Sequence, residues 1–72
     1  MFGEEHPETA DSYYSVAVIQ HSLSDYSAAL ESAMRALNIR IKLFGEEHLK
    51  TADSYRLVRY LKSVFWYFGK HP

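Results

Sequence analysis

The chain has 72 residues, of which 47% are hydrophobic and 24% charged, and its formal net charge is −1. This composition excludes an intrinsically disordered chain, and the length allows one small domain, residues 1–72, that buries only about 60% of the surface its unfolded form exposes. Cysteine is absent, which excludes disulfides and thiolate chemistry.

The expected location is the cytoplasm, because no basic segment followed by an apolar run is readable at the start. The longest apolar stretch, VFWYF at residues 64–68, is far below the roughly 20 residues of a membrane-spanning helix. We therefore expect no membrane partner. Basic residues concentrate after residue 48 and acidic residues before it, a distribution that suits head-to-tail contact.

An internal repeat dominates the sequence. The segment FGEEH at residues 2–6 recurs at 44–48, and TADSY at 9–13 recurs at 51–55, an offset of 42 positions. Only the two positions between these segments differ. Self-similarity at such a period is typical of stacked structural repeats.

The first predicted helix begins near Pro7, since proline suits the first helical position. Beyond it, apolar residues recur at spacings of three and four, as one face of a helix requires. The segment SLSD at 22–25, with three small polar residues, ends this helix, and Asp25 is a suitable N-cap for the next one. The turn is short, so the two helices should be antiparallel.

The second predicted helix spans about residues 26–44, with Gly45 in the position of a left-handed C-terminal cap. Three alanines on its inward side, Ala29, Ala33 and Ala36, should let the first helix approach closely. A third helix begins after His48 and repeats the first. The predicted fold is therefore all-α, with unit one at about 7–44, a half unit at about 49–67 and a tail at 68–72.

These residues resemble the tetratricopeptide (TPR) family, in particular its long variant with a 42-residue unit, found in kinesin light chains. The resemblance covers residues 2 to about 62, and the FGEEH segment is similar to the Leu-Gly-x-x-His-Pro junction of that variant. The matching helix positions are Tyr13, Val16 and Ala17 in the first helix and Tyr26, Ala29, Ala33, Ala36 and Leu37 in the second. Gln20 stands at a position where the family has an aromatic residue. The resemblance implies a fragment of an α-solenoid, about one and a half antiparallel helix-turn-helix units.

The second copy departs from the family pattern in two places. Arg59 occupies the small-residue position of Ala17, and Trp66 the turn position of Ser24. An arginine there would block a partner helix. The array should therefore end, or be cut, at the third helix, and residues 68–72 look like the start of one more junction.

The resemblance also implies a function in binding protein. In this family the first helices of successive units line a groove for a peptide, which makes this chain a scaffold or interaction module. The implied groove residues are Asp11, Tyr14, Val18, His21, Asp53, Arg56, Tyr60 and Ser63. The Lys and Asn with which some members clamp a C-terminal carboxylate are not at Tyr14 and Val18. The alternative is that these groove positions are only the solvated surface of a helix.

A second hypothesis is a purely structural end segment of a longer array that self-associates, for example as a homodimer that swaps the third helix. Little of the chain should remain to cover the aromatic end of that helix. The residues expected to mediate self-association are Val64, Phe65, Trp66 and Phe68, with Tyr60 beside them.

Catalysis, metal binding and cofactors are not expected. His6 and His48 stand at matching junctions, where a capping or loop role is the better interpretation, and no pair of histidines has helical ligand spacing. No serine has a recognisable base, so an enzyme is not predicted. Basic residues beside aromatics in the last helix leave nucleic-acid binding as a remote alternative without a recognised motif. We expect no nucleic-acid partner.

Overall fold

The computed structural model describes residues 6–69, in which three α-helices and a terminal π-helical segment are joined by short turns, with no strand among these residues. The helices are α1 (Pro7–Ser22), α2 (Tyr26–Phe44) and α3 (Leu49–Val64), and the π-helical segment is Phe65–Gly69. The expected all-α class with three helices is confirmed. The start of the first FGEEH copy, residues 2–5, and the end of the predicted tail, residues 70–72, lie outside the described residues.

Each α-helix begins at a side-chain cap. The Nδ1 atoms of His6 and His48 accept hydrogen bonds from the backbone N–H groups of Glu8 (3.2 Å) and Lys50 (3.0 Å). Asp25 accepts one from the Ala28 N–H at 3.4 Å. These bonds satisfy donors that lack an intrahelical partner in the first turn. Of the capping or loop role expected for the two junction histidines, the structure shows the capping role.

Positive φ angles mark the two turns. Ser24, between α1 and α2, has a φ of 64°, and Gly45 after α2 has a φ of 84°. The ψ of Gly45 is 171°, outside the left-handed helical region, so the cap is an extended glycine conformation that other residues rarely adopt. Its N–H still bonds to the Ile41 carbonyl at 2.9 Å, which closes the helix.

The second helix lies between the other two. It packs against both α1 and α3, and its alanines Ala29, Ala33 and Ala36 are at most 1% exposed. The central cluster comprises Ala17, Ala29, Ala33, Leu37, Val58 and Leu61. Small residues here allow close approach of the helix backbones, as the alanine pattern predicted. Among residues 6–69, no helix combines the length and apolar character needed to cross a membrane.

The repeat breaks down at the end of α3. Ser24 adopts a positive φ and turns the chain, whereas Trp66, its equivalent in the second copy, lies within the π-helical segment. A bulky aromatic residue disfavours a positive φ, so α3 continues and widens instead of turning back. The Tyr26 ring contacts the Phe68 ring with centroids 6.0 Å apart. The segment therefore lies against α2.

Candidate partner-binding face

The first and third helices meet through two of the predicted groove residues. The Nε2 atom of His21 and the hydroxyl of Tyr60 are 3.1 Å apart, and the two rings make an edge contact with centroids at 5.3 Å. His21 also contacts the Tyr26 ring at 5.8 Å. The structure thus brings side chains 39 positions apart together on one face.

A shallow depression of about 270 Å³ adjoins this contact, lined by Arg56, Arg59, Tyr60 and Ser63. Three of these four are predicted groove residues. Arg59, which was expected as an obstacle to a further helix and not as a groove residue, contributes a second guanidinium to the depression. All four side chains are exposed, so the depression is open to solvent.

The charge of the depression is positive. Arg56 donates to the carboxylate of Asp53 at 2.9 Å, an exposed pair one helical turn apart that solvent screens strongly. Within residues 6–69, the side chains of Arg59 and Ser63 make no hydrogen bond or ion pair. Their donors remain available to a ligand, and a guanidinium fork suits a carboxylate.

The two groove residues nearest the start of α1 are instead engaged by an arginine of α2. Arg40 donates from Nη2 to the Asp11 carboxylate at 2.9 Å, and its guanidinium lies 4.9 Å from the centre of the Tyr14 ring. Lys50 Nζ lies 3.9 Å from the same carboxylate. Both residues support the fold, while Val18, 44% exposed, keeps its side chain on the surface.

Sequence reasoning missed Arg40, which is only 6% exposed. Its Nη1 donates to the Ser54 hydroxyl at 2.8 Å and to the Lys50 carbonyl at 3.3 Å, and its own carbonyl accepts from Thr51 at 3.3 Å. Arg40 therefore bonds to side chains of both outer helices. The available signal was an arginine between Ile39 and Ile41, beside the apolar stripe of α2.

The aromatic end of the chain is exposed, with one correction to the expectation. Trp66 is 50% exposed, and Tyr67 and Phe68 are each 69% exposed. Val64 was expected to be uncovered, which is wrong: it faces the chain's own interior and is buried, and Phe65 is half-buried. Tyr67, which was not predicted, takes their place on the surface.

The described part of the chain holds no group of three or more His, Asp or Glu side chains that could hold a metal ion. Compared with known proteins, the chain matches no family model, no curated protein and no solved structure. The resemblance to tetratricopeptide repeats therefore rests on the residue pattern of the chain itself.

Proposed function

We propose that this chain is a protein-interaction module of tetratricopeptide type, a fragment of an α-solenoid that binds a peptide segment of another protein along the face shared by α1 and α3. The observation that carries the proposal is the contact between His21 and Tyr60, next to the open depression. This contact supports the interpretation that α1 and α3 present one continuous face and not two separate helix surfaces.

The chemistry of the face suits protein recognition. Tyr60 offers amphipathic contact area, Val18 an apolar patch, and Arg56 and Arg59 forked donors for carboxylates or backbone carbonyls. Tyrosine and arginine are enriched among the residues that dominate binding energy at interfaces. A peptide that lies across α1 and α3 would contact all four.

The proposal is tested by selecting binders from a random peptide library displayed on phage, with the folded chain immobilised. We expect enriched sequences that compete with one another for one site. Tyr60→Ala and Arg56→Ala should each weaken their binding by about tenfold or more, since truncation of a central interface residue costs over 1 kcal/mol.

The matched control is Lys62→Ala, another exposed basic residue of α3 that does not line the depression. It should leave binding unchanged. Tyr14→Ala is a poor probe because its ring supports Arg40. If the selected peptides bind Tyr60→Ala and Arg56→Ala as tightly as they bind the parent chain, the proposed groove is not their binding site.

Self-association through the aromatic end is a second candidate, favoured by the exposure of Trp66, Tyr67 and Phe68. Contiguous exposed apolar surface of this kind is typical of interaction sites. Sedimentation equilibrium tests it: the average mass should rise with concentration, and Trp66→Ser with Phe68→Ser should hold the chain monomeric. A monomeric parent chain at all concentrations would eliminate this candidate.

A further inference from the structure

The depression on α3 is lined entirely by side chains that donate hydrogen bonds. Arg56 and Arg59 supply two guanidinium groups, and Tyr60 and Ser63 supply two hydroxyl groups. No carboxylate of residues 6–69 lines it. Residues 54–69 also contain three basic residues and no acidic one, so this end of α3 is positively charged. A site of this composition favours an anion.

Two of the four lining side chains are uncommitted in the described part of the chain. Arg59 forms neither a hydrogen bond nor an ion pair with residues 6–69. The Ser63 hydroxyl lacks the bond to the carbonyl four residues earlier that a helical serine often makes, and that Ser22 makes to Val18 at 3.2 Å. Both side chains can therefore donate to a ligand without breaking a contact of the fold.

The Tyr60 hydroxyl is held by His21, whose Nε2 atom lies 3.1 Å from it. Either group can be the donor in this bond. When the Nε2–H group of His21 donates, the proton of the Tyr60 hydroxyl remains for a ligand in the depression. His21 then positions the hydroxyl without using its proton.

Arg56 is the one lining residue with a competing partner. Its Nη2 atom donates to the Asp53 carboxylate at 2.9 Å, and the two side chains are 75% and 54% exposed. Water screens such a pair, so it is weak. The bond uses one N–H group of the guanidinium, and the others remain available to a ligand.

We propose that the peptide bound at this face carries a phosphorylated side chain, and that Arg56, Arg59 and Ser63 hold its phosphate. Residues three positions apart are neighbours on a helix surface, so both guanidinium groups can reach one phosphate. The inference rests on the proposed peptide-binding function and specifies the chemistry of its ligand.

The number of donors favours a phosphate over a carboxylate. A phosphate monoester has a charge of about −1.5 to −2 at neutral pH and three strong acceptor oxygens, so it can accept from two guanidinium groups and a hydroxyl together. A carboxylate has a single charge, and one guanidinium fork satisfies both of its oxygens. The depression offers more donors than a carboxylate uses.

The internal repeat does not account for these donors. At the offset of 42 positions, the lining residues correspond to Tyr14, Ala17, Val18 and His21, none of which has a guanidinium or an aliphatic hydroxyl. The first copy forms its helix without them, so helix formation does not explain their presence in α3.

The extent of the positive charge favours a phosphopeptide over a nucleic acid. A protein that binds a single strand tracks its backbone with a continuous positive groove. Here the charge is confined to one depression of about 270 Å³, and the same face continues with the apolar Val18 and the acidic Asp53. It suits one phosphate and not a row of them.

The test uses degenerate peptide pools that differ only in one fixed central residue, which is phosphoserine, phosphotyrosine, serine, tyrosine or glutamate. Each pool is passed over the immobilised full chain, and the retained peptides are quantified by mass spectrometry. We expect at least one phosphorylated pool to be retained about tenfold more than its unmodified counterpart and than the glutamate pool, because charge-assisted hydrogen bonds are strong enough for that factor.

Single phosphopeptides from the retained pool are then titrated against variants of the chain. Arg59→Ala should weaken binding by about tenfold or more and Ser63→Ala by about threefold, since each removes a donor to a charged group. Neither side chain bonds to residues 6–69, so both variants should fold, which circular dichroism checks. Asp53→Ala should strengthen binding several-fold, because it removes the competitor for Arg56.

The matched control is Lys62→Ala, which removes a positive charge from α3 outside the depression and should change the affinity by less than about twofold in physiological salt. Equal retention of the phosphorylated and glutamate pools would overturn the inference. So would an affinity that is insensitive to Arg59→Ala or that falls with Asp53→Ala.

Two other sources of phosphate are tested by competition. If inorganic phosphate binds as tightly as the phosphopeptides, the site recognises the free ion, and the peptide assignment is overturned. An oligothymidylate of about 12 nucleotides that binds more tightly than the phosphopeptides and depends on Arg59 would assign the site to nucleic acid and overturn it as well.

The pools also separate this inference from the proposed function. If the unmodified pools are retained, lose binding with Tyr60→Ala and gain nothing from phosphorylation, the peptide groove stands and the phosphate inference fails. If no pool is retained, with or without phosphate, the proposed peptide-binding function fails too.

Discussion

At the scale of single residues, Arg40 has the most contacts to explain. A guanidinium that is 6% exposed must have its donors satisfied, and Asp11, Ser54 and the Lys50 carbonyl do so. Its Nε is buried and makes no hydrogen bond with a described residue. The charge is thus held by partners on both outer helices, and loss of one partner leaves it poorly compensated.

The internal repeat supplies a matched pair for testing this. Asp11→Ala should destabilise the chain by about 1–2 kcal/mol, since it leaves a buried guanidinium without its carboxylate, although Asp11 itself is half exposed. Asp53→Ala removes the equivalent residue from an exposed pair and should cost at most about 0.5 kcal/mol. Urea unfolding of both variants measures the difference, and equal losses would contradict the role assigned to Arg40.

Ser24 carries backbone strain, because a residue with a Cβ atom is disfavoured at a φ of 64°. Ser24→Gly should therefore raise the free energy of unfolding by about 0.5 kcal/mol, with the flexibility of glycine in the unfolded chain offsetting part of the relief. Ser24→Val should lower it by about 1 kcal/mol or more. Thermal unfolding checks both, and a destabilised glycine variant would mean that the weak contact of Ser24 with Tyr26 at 3.4 Å dominates.

At the scale of elements, the start of α3 depends on one side chain with two contacts. His48 caps the helix through Nδ1 and stacks its ring on Phe44, with centroids 4.4 Å apart. His48→Ala should cost about 1 kcal/mol, whereas His48→Asn, which keeps a capping oxygen, should cost less. Chemical denaturation compares the free energies of unfolding of the two variants. Equal losses would mean that the stacking of His48 on Phe44, and not the cap, accounts for the whole effect.

The helices themselves could be predicted from sequence, because their signals are local. Proline at the first position, a capping residue and a glycine at the end lie within a few residues of the boundaries they set. The burial of Arg40 could not be predicted from sequence, because its partners Asp11 and Ser54 are 29 and 14 positions away and no short pattern relates them. The π-helical segment was also missed, because the repeat indicated only that a turn was lost at Trp66.

The candidate site could be predicted only in part. The resemblance to tetratricopeptide repeats implies that the first helices of successive units line one groove, which was enough to expect that His21 and Tyr60 belong to one face. It could not show that Arg40 engages Asp11 and Tyr14, or that Val64 is buried, since both depend on how α2 packs.

At the scale of the whole molecule, both outer helices depend on packing against α2, so the chain should unfold as one unit. Trp66, the single tryptophan, reports the π-helical segment that follows α3, and far-ultraviolet circular dichroism reports all helices. Their thermal transitions should coincide, as two-state unfolding requires. In Arg40→Ala, which removes the side-chain hydrogen bonds to Ser54 and to the Lys50 carbonyl of α3, the tryptophan transition should occur at a lower temperature than the circular dichroism transition. Separate transitions in the parent chain would contradict a single cooperative unit.

The contrast between Ser24 and Trp66 gives the molecule a direction. Ser24 turns the chain back after α1, whereas Trp66 continues it after α3. A helix placed behind α3 in the way that α2 lies behind α1 would therefore first require Arg59 and Trp66 to be replaced.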